Sequence, residues 1–181
     1  MVRDKAPSDQ RNRRIARLGA ALTVAALALG LSPARAADDP FLSRLAGEWI
    51  GNGTVKLSPK AEAERIYCRI VSTLVAGNSI EQKGRCSVAS NSGALASTIS
   101  ARGGGRYEGV MSAPTVGSAN FKGNGSGNRL TLSANFVDSK TQQQRKATVT
   151  MSLSGSGYRV TTSNSGEGTN YVASDITFKK K

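Results

Sequence analysis

Hydrophobic and polar residues alternate along most of the chain after residue 46, and no long segment repeats with the 3.6-residue period of a helix. The alternation is clearest at 130–136, where every second residue is apolar, and at 147–153. This pattern is typical of strands that bury one face. It predicts ten strands, at 47–57, 64–74, 79–89, 94–101, 105–112, 117–123, 128–136, 146–154, 157–163 and 171–179.

Turn-forming residues separate these strands and leave little room for long connections. The clearest clusters are Ser58-Pro59, 103–105, 123–127 and 154–157. Short connections favour an antiparallel up-and-down meander, and a long meander hides its edges by closing on itself. The sequence therefore predicts an all-β fold, a ten-stranded antiparallel up-and-down barrel. The nine aromatic residues are too few for the two aromatic girdles of an outer-membrane barrel.

A short helix is predicted at 39–45, just before the first strand. Asp39 is placed to cap this helix, Pro40 takes its first position, and Gly47 lies just beyond its end.

The two cysteines fall in register across a predicted hairpin. Cys68 and Cys86 are 18 residues apart, and their midpoint, Gly77, lies in the turn signal Ala76-Gly77-Asn78. A turn at this point places residues whose numbers sum to 154 opposite each other. Directly opposed antiparallel residues have Cα atoms roughly 4.5–5.5 Å apart, which is inside disulfide range. We expect a Cys68–Cys86 disulfide, and the alternative is two reduced core cysteines.

The first 36 residues have the pattern of a secretory signal peptide. Six basic residues precede an apolar run of 14 residues at 18–31, and Ala34-Arg35-Ala36 is a small-x-small cleavage site. The run is short for a membrane span, which needs about 20 residues. We expect cleavage near Ala36 and a single barrel domain at 37–181, in the periplasm or secreted, where a disulfide persists. The pair Arg13-Arg14 leaves Sec and twin-arginine export both open.

The chain is basic, with a net charge of +13, and 18 basic and 10 acidic residues follow the predicted cleavage site. On an exported protein, this charge suits an anionic envelope surface or an acidic protein partner, or it only keeps the protein soluble. We expect no nucleic-acid partner, because an exported protein rarely meets one and aromatic residues for base stacking are scarce. A monomer is expected.

The composition excludes several kinds of chemistry. The chain has no histidine, which rules out a His-based catalytic triad and a His-ligated zinc or haem. Two cysteines are too few for a Cys-rich zinc or iron–sulfur site. No Ser-x-x-Lys motif or calcium loop occurs, and the acidic residues fall mostly at outward strand positions. We therefore expect no catalytic residues, no metal site and no cofactor.

Residues 45–53, Leu-Ala-Gly-Glu-Trp-Ile-Gly-Asn-Gly, resemble the opening of lipocalin-like (calycin) barrels, where a short helix leads into Gly-x-Trp on the first strand. The longer pattern Gly-x-Trp-x-Gly-x-Gly is similar to that of ten-stranded nitrobindin-type barrels. The resemblance implies that the helix caps one end of the barrel, that Trp49 plugs the lumen beneath it, and that Lys179 or Lys180 covers Trp49. Nitrobindin-type proteins hold haem through a histidine, and this chain has none. The resemblance therefore implies a fold and a cavity, but not haem bound in that way.

Binding is the remaining class of function. Ser72 and Gln82 face each other in the 154-sum register on an otherwise apolar face, and they are candidate cavity-lining residues. A simple cross-strand hydrogen bond is the alternative. We expect an exported non-catalytic lipocalin-like barrel that binds a small apolar ligand or acts as an envelope factor.

A second interpretation is a periplasmic protein-binding module such as a protease inhibitor. Small exported inhibitors of bacterial metalloproteases are similar in having Gly-x-Trp near the N-terminus and one disulfide between early strands. The order of Trp49, Cys68 and Cys86 fits that pattern.

Overall fold

The computed structural model describes residues 38–75, 77–89, 91–113, 117–137, 142, 144–166 and 169–181. The predicted signal peptide and its cleavage site lie outside these ranges. The elements in chain order are α1 (Pro40–Leu45), β1 (Gly47–Val55), β2 (Glu64–Val75), β3 (Ser79–Val88), β4 (Asn91–Ala101), β5 (Arg106–Ala113), β6 (Gly117–Ser126), β7 (Arg129–Val137), β8 (Gln144–Ser154), β9 (Gly157–Gly166) and β10 (Thr169–Lys180).

The ten strands form a closed barrel in which each strand pairs antiparallel with the next, and β1 pairs with β10 to close the sheet. The predicted all-β, ten-stranded up-and-down barrel is therefore confirmed. The 154-sum register across β2 and β3 is present from Tyr67 opposite Ser87 to Val75 opposite Ser79. The alternation of buried and exposed residues along each strand gives the barrel one lumen-facing and one solvent-facing side.

Strand β6 is longer than predicted, because the glycine-rich segment at 123–127 is mostly strand rather than turn. Gly123 and Gly125 are sites of close approach. A Cβ at Gly125 would lie 2.6 Å from Cε2 of Tyr107, and one at Gly123 would overlap the carbonyl oxygen of Thr131. The turn follows at Gly127, where φ is +56°. These glycines allow neighbouring groups to come close in a curved wall.

Helix α1 lies at the end of the barrel where β1 begins. Its predicted cap is present, because Asp39 Oδ1 accepts hydrogen bonds from the backbone N–H groups of Phe41 and Leu42 at 3.0 and 2.9 Å. The backbone N–H of Asp39 donates to the carbonyl of Gly77 at 3.0 Å, and Arg44 donates to Asn128 Oδ1 at 2.6 Å. These contacts tie the helix to the β2–β3 and β6–β7 turns, on separate parts of the barrel rim. In the described part of the chain, no helix is long and apolar enough to span a membrane.

Candidate functional site: the barrel lumen

The lumen is filled with aromatic side chains at the end beneath α1. Trp49 is 2% exposed, and its indole Nε1 donates to the carbonyl of Leu45 at 2.8 Å. The Trp49 ring meets Tyr158 edge to face at 4.8 Å between centroids, and Tyr158 stacks on Phe178 at 4.6 Å. Gly51 leaves the space that the Phe178 ring occupies. Because the Trp49 indole hydrogen-bonds to Leu45, the last residue of α1, the helix and the aromatic cluster beneath it pack as one unit.

The two lysines near the C-terminus occupy different sides of the wall. Lys180 Nζ lies 5.6 Å from the centroid of the Trp49 ring, in cation–π range. Lys179 pairs in register with Ile50 and is exposed on the outer face. Of the two candidates for covering Trp49, Lys180 is the one in contact.

Asp39 joins the helix to the rim through a second interaction. The hydroxyl of Tyr107 donates to Asp39 Oδ2 at 3.0 Å, and the ring meets Phe41 at 6.2 Å between centroids. Burial, followed by the hydrogen bond to Asp39, raises the pKa of Tyr107 to about 12. A surface cleft of about 570 Å³ lies beside this contact, between the start of α1 and the glycine turn at 103–105. No local pattern predicts the Asp39–Tyr107 hydrogen bond, because the two residues are 68 positions apart.

A buried polar cluster lies in the lumen wall next to the aromatic cluster, where Ser72 pairs with Gly47 at the start of β1. Gln82 Nε2 donates to Ser72 Oγ at 3.0 Å, and Ser97 Oγ donates to Gln82 Oε1 at 3.2 Å. Tyr158 also forms a side-chain hydrogen bond with Gln82, while burial raises the pKa of the Tyr158 hydroxyl. The structure therefore brings the sequence-predicted pair Ser72 and Gln82 together and adds Ser97 and Tyr158. The partners within this cluster satisfy one another.

Asn164 on β9 is a further polar residue that faces the lumen, and it is not among the residues predicted from the sequence. It lies opposite Ala147 on β8 and Tyr171 on β10. Its Oδ1 atom is buried and has no hydrogen-bond partner in the described part of the chain. The predicted strand ended at 163, one residue short of Asn164, although the inward phase of Tyr158 continues through it.

The apolar lining is less buried away from the aromatic cluster. Several inward apolar side chains pack against the core but keep part of their surface accessible, namely Ile66, Leu95, Met111, Phe136, Val149 and Val160. In contrast, Leu130 and Ile80 are fully buried. Solvent thus reaches apolar parts of the lumen wall.

Cys68 and Cys86 form the predicted disulfide. They are directly opposed on β2 and β3, with Cα atoms 4.1 Å apart. The bond is consistent with an exported protein, because disulfides persist in oxidising compartments. Among the described residues, no three His, Cys, Asp or Glu side chains converge as a metal site would require.

The similarity of this chain to known proteins lies in its structure. No protein-family model matches the sequence, and no curated protein sequence matches it. A solved structure that matches is the crystal structure of Rv2717c from M. tuberculosis, with a TM-score of 0.64 and 14% sequence identity. The match covers 80% of this chain and 99% of that one. At this identity, the similarity supports the barrel fold alone.

Proposed function

We propose that the protein is an exported, non-catalytic, lipocalin-like barrel whose lumen binds a small and largely apolar molecule that carries a hydrogen-bond donor. The observation that carries the proposal is Asn164, a lumen-facing residue whose buried Oδ1 lacks a partner among the described residues. A buried acceptor without a partner costs about 1–3 kcal/mol. An N–H or O–H group of a bound molecule would recover that free energy.

The surroundings of Asn164 favour a mainly apolar ligand. Its cross-strand neighbour Ala147 is small, and the next residue in the same row is Ala134 on β7. Small side chains flank the amide, and the partly accessible Val149 and Phe136 add apolar surface on the same two strands. A few placed polar groups in an apolar cavity are typical of small-molecule sites.

The ligand enters away from α1 in this proposal, since Trp49, Tyr158 and Phe178 fill the other end. Ser72 and Gln82, the expected cavity-lining pair, form the cross-strand hydrogen bond that is the alternative interpretation of this pair. Because they are already hydrogen-bonded to each other, they shape the wall, and Asn164 is the anchor for the ligand.

Export, the lipocalin-like character and the absence of catalysis belong to this proposal. The disulfide supports export, and the N-terminal sequence pattern favours it. The alternative of a protease inhibitor gains no support from a particular contact, since the described segment at 38–39 leads directly into the helix cap.

Native mass spectrometry of the protein purified from its own host tests this proposal. We expect a complex heavier than the processed chain by one small organic molecule, which organic extraction releases. A matched sample unfolded and refolded after extraction should lose the extra mass and regain it with the extract. A chain-only mass that the extract leaves unchanged would contradict the proposal, and a co-purifying protease would favour the inhibitor.

A further inference from the structure

The outer face of the barrel carries a row of cations where the first and last strands meet. Arg69 on β2 lies directly opposite Arg85 on β3, and both are exposed. Ile50 on β1 lies between Arg69 and Lys179 on β10. We call Arg69, Arg85 and Lys179 the cationic row. It crosses four neighbouring strands of the closed sheet.

The acidic side chains next to the cationic row already have basic partners. Glu48 Oε2 accepts from Lys181 at 2.9 Å, and Glu81 pairs with Lys83 at 3.0 Å. Asp175, further along β10, is paired with Arg159. Within the described residues, the cationic row itself has no acidic partner, so this face carries three uncompensated positive charges.

The paired strands hold Arg69 and Arg85 side by side although both side chains are positively charged. Their hydrogen bonds go to neutral oxygens, from Arg69 Nε to the Tyr67 hydroxyl at 2.9 Å and from Arg85 Nη2 to Ser92 Oγ at 3.4 Å. Like charges directly opposite on neighbouring strands are destabilising. The disulfide adjoins both residues in sequence and fixes the two strands in this register. The remaining guanidinium N–H groups are left for an external anion.

Apolar side chains flank Arg69 on the same outer face. Tyr67 is 36% exposed and Val71 is 51% exposed. A soluble polyanion would gain little from these side chains, whereas a membrane surface offers phosphate groups for the cations and an interfacial layer for tyrosine and valine. The combination of uncompensated cations and exposed apolar side chains therefore favours lipid.

We propose that the outer face of β10, β1, β2 and β3 docks onto an anionic lipid membrane. Arg69, Arg85 and Lys179 bind lipid phosphates, while Tyr67 and Val71 contact the interface. This surface is on the opposite side of the wall from the lumen, so the proposal stands independently of ligand binding.

Vesicle co-sedimentation at low salt tests this surface, with the purified protein in its disulfide-bonded form. The vesicles contain phosphatidylcholine alone, or phosphatidylcholine and phosphatidylglycerol in equal amounts. We expect binding only to the anionic vesicles, and the double variant Arg69→Gln/Arg85→Gln should bind them roughly 30-fold more weakly. A control, Arg106→Gln/Arg129→Gln, removes the same charge from exposed positions elsewhere and should lose less than about threefold.

The variant Tyr67→Ser/Val71→Ser separates a membrane from a soluble polyanion. It should weaken vesicle binding and leave binding to inorganic polyphosphate unchanged. Thermal melting checks that all variants fold, and loss of the Arg69–Arg85 repulsion should not lower stability. Equal losses in the cationic-row and control variants would overturn the proposal. So would unchanged vesicle binding by Tyr67→Ser/Val71→Ser, or absence of binding to anionic vesicles.

Discussion

Trp49 contributes to stability through both its ring and its indole nitrogen. The ring packs against Tyr158, and Nε1 satisfies the carbonyl of Leu45, the last residue of α1. Trp49 thus joins α1 to the barrel, and no second tryptophan can make these contacts because the chain has only one.

Replacement of Trp49 by alanine should therefore strongly destabilise the fold. We expect Trp49→Ala to lower the free energy of unfolding by about 3–5 kcal/mol, the range for large aromatic residues removed from cores. Urea unfolding followed by circular dichroism measures the change, and Trp49→Phe, which keeps a ring, should lose less. The tryptophan fluorescence of the native protein should also be blue-shifted relative to that of the unfolded chain, because Trp49 is buried. A loss below about 0.5 kcal/mol, as for an exposed residue, would contradict this packing.

At the level of single residues, the sequence predicted those whose role depends on local pattern. Asp39 follows from helix-cap chemistry, and Cys68–Cys86 follows from register. Asn164 could not be identified in the same way. Its alternation phase indicates an inward side chain, but whether its amide finds a partner depends on the groups that nine other strands bring to it.

Among the elements, the β2–β3 hairpin contains both the disulfide and the Gln82–Ser72 bond. The disulfide closes a sequence separation of 18 residues. On the chain-entropy model, closure of a loop of this size stabilises the fold by about 3 kcal/mol.

Reduction should therefore lower the melting temperature by roughly 6–12 °C for a domain of this size. Thermal melting with and without reductant measures the shift, together with thiol counting. The variant Cys68→Ala/Cys86→Ala serves as a control, because its melting temperature should not respond to reductant. Two titratable thiols in the native protein would argue against a role for this bond in stability.

Strand positions were predicted well where alternation is strong and less well where glycine occurs. Strand β7 was predicted at 128–136 and spans Arg129–Val137. The glycines of β6 suggested a turn because glycine is also the usual turn residue. Only the neighbouring strands reveal that Gly123 and Gly125 make room for Thr131 and Tyr107.

For the whole molecule, strand count and short turns were enough to predict a closed barrel, because closure removes the sheet edges. The contents of the lumen could not be predicted, since they depend on how side chains from opposite walls share the interior. The structure has a filled end beneath α1 and partly accessible apolar side chains elsewhere in the lumen. This asymmetry underlies the proposed ligand site.

If Asn164 is kept for binding, its removal should help folding and harm binding. Asn164→Leu eliminates a buried acceptor without a partner, so we expect the free energy of unfolding to rise by about 1 kcal/mol. The same change should weaken the binding of an apolar ligand with an N–H donor by roughly 3–10-fold. Asn120→Leu, at an exposed position on β6, is the matched control and should change neither quantity much.

The most direct measurement is a fluorescence titration of the extracted protein with N-phenyl-1-naphthylamine, an apolar probe with one N–H group, alongside urea unfolding of the same samples. We predict saturable binding of one probe per chain, weaker binding by the more stable Asn164→Leu variant, and no effect of that variant on the N-methylated probe. A less stable Asn164→Leu variant that binds the probe as tightly as the native protein would contradict the account.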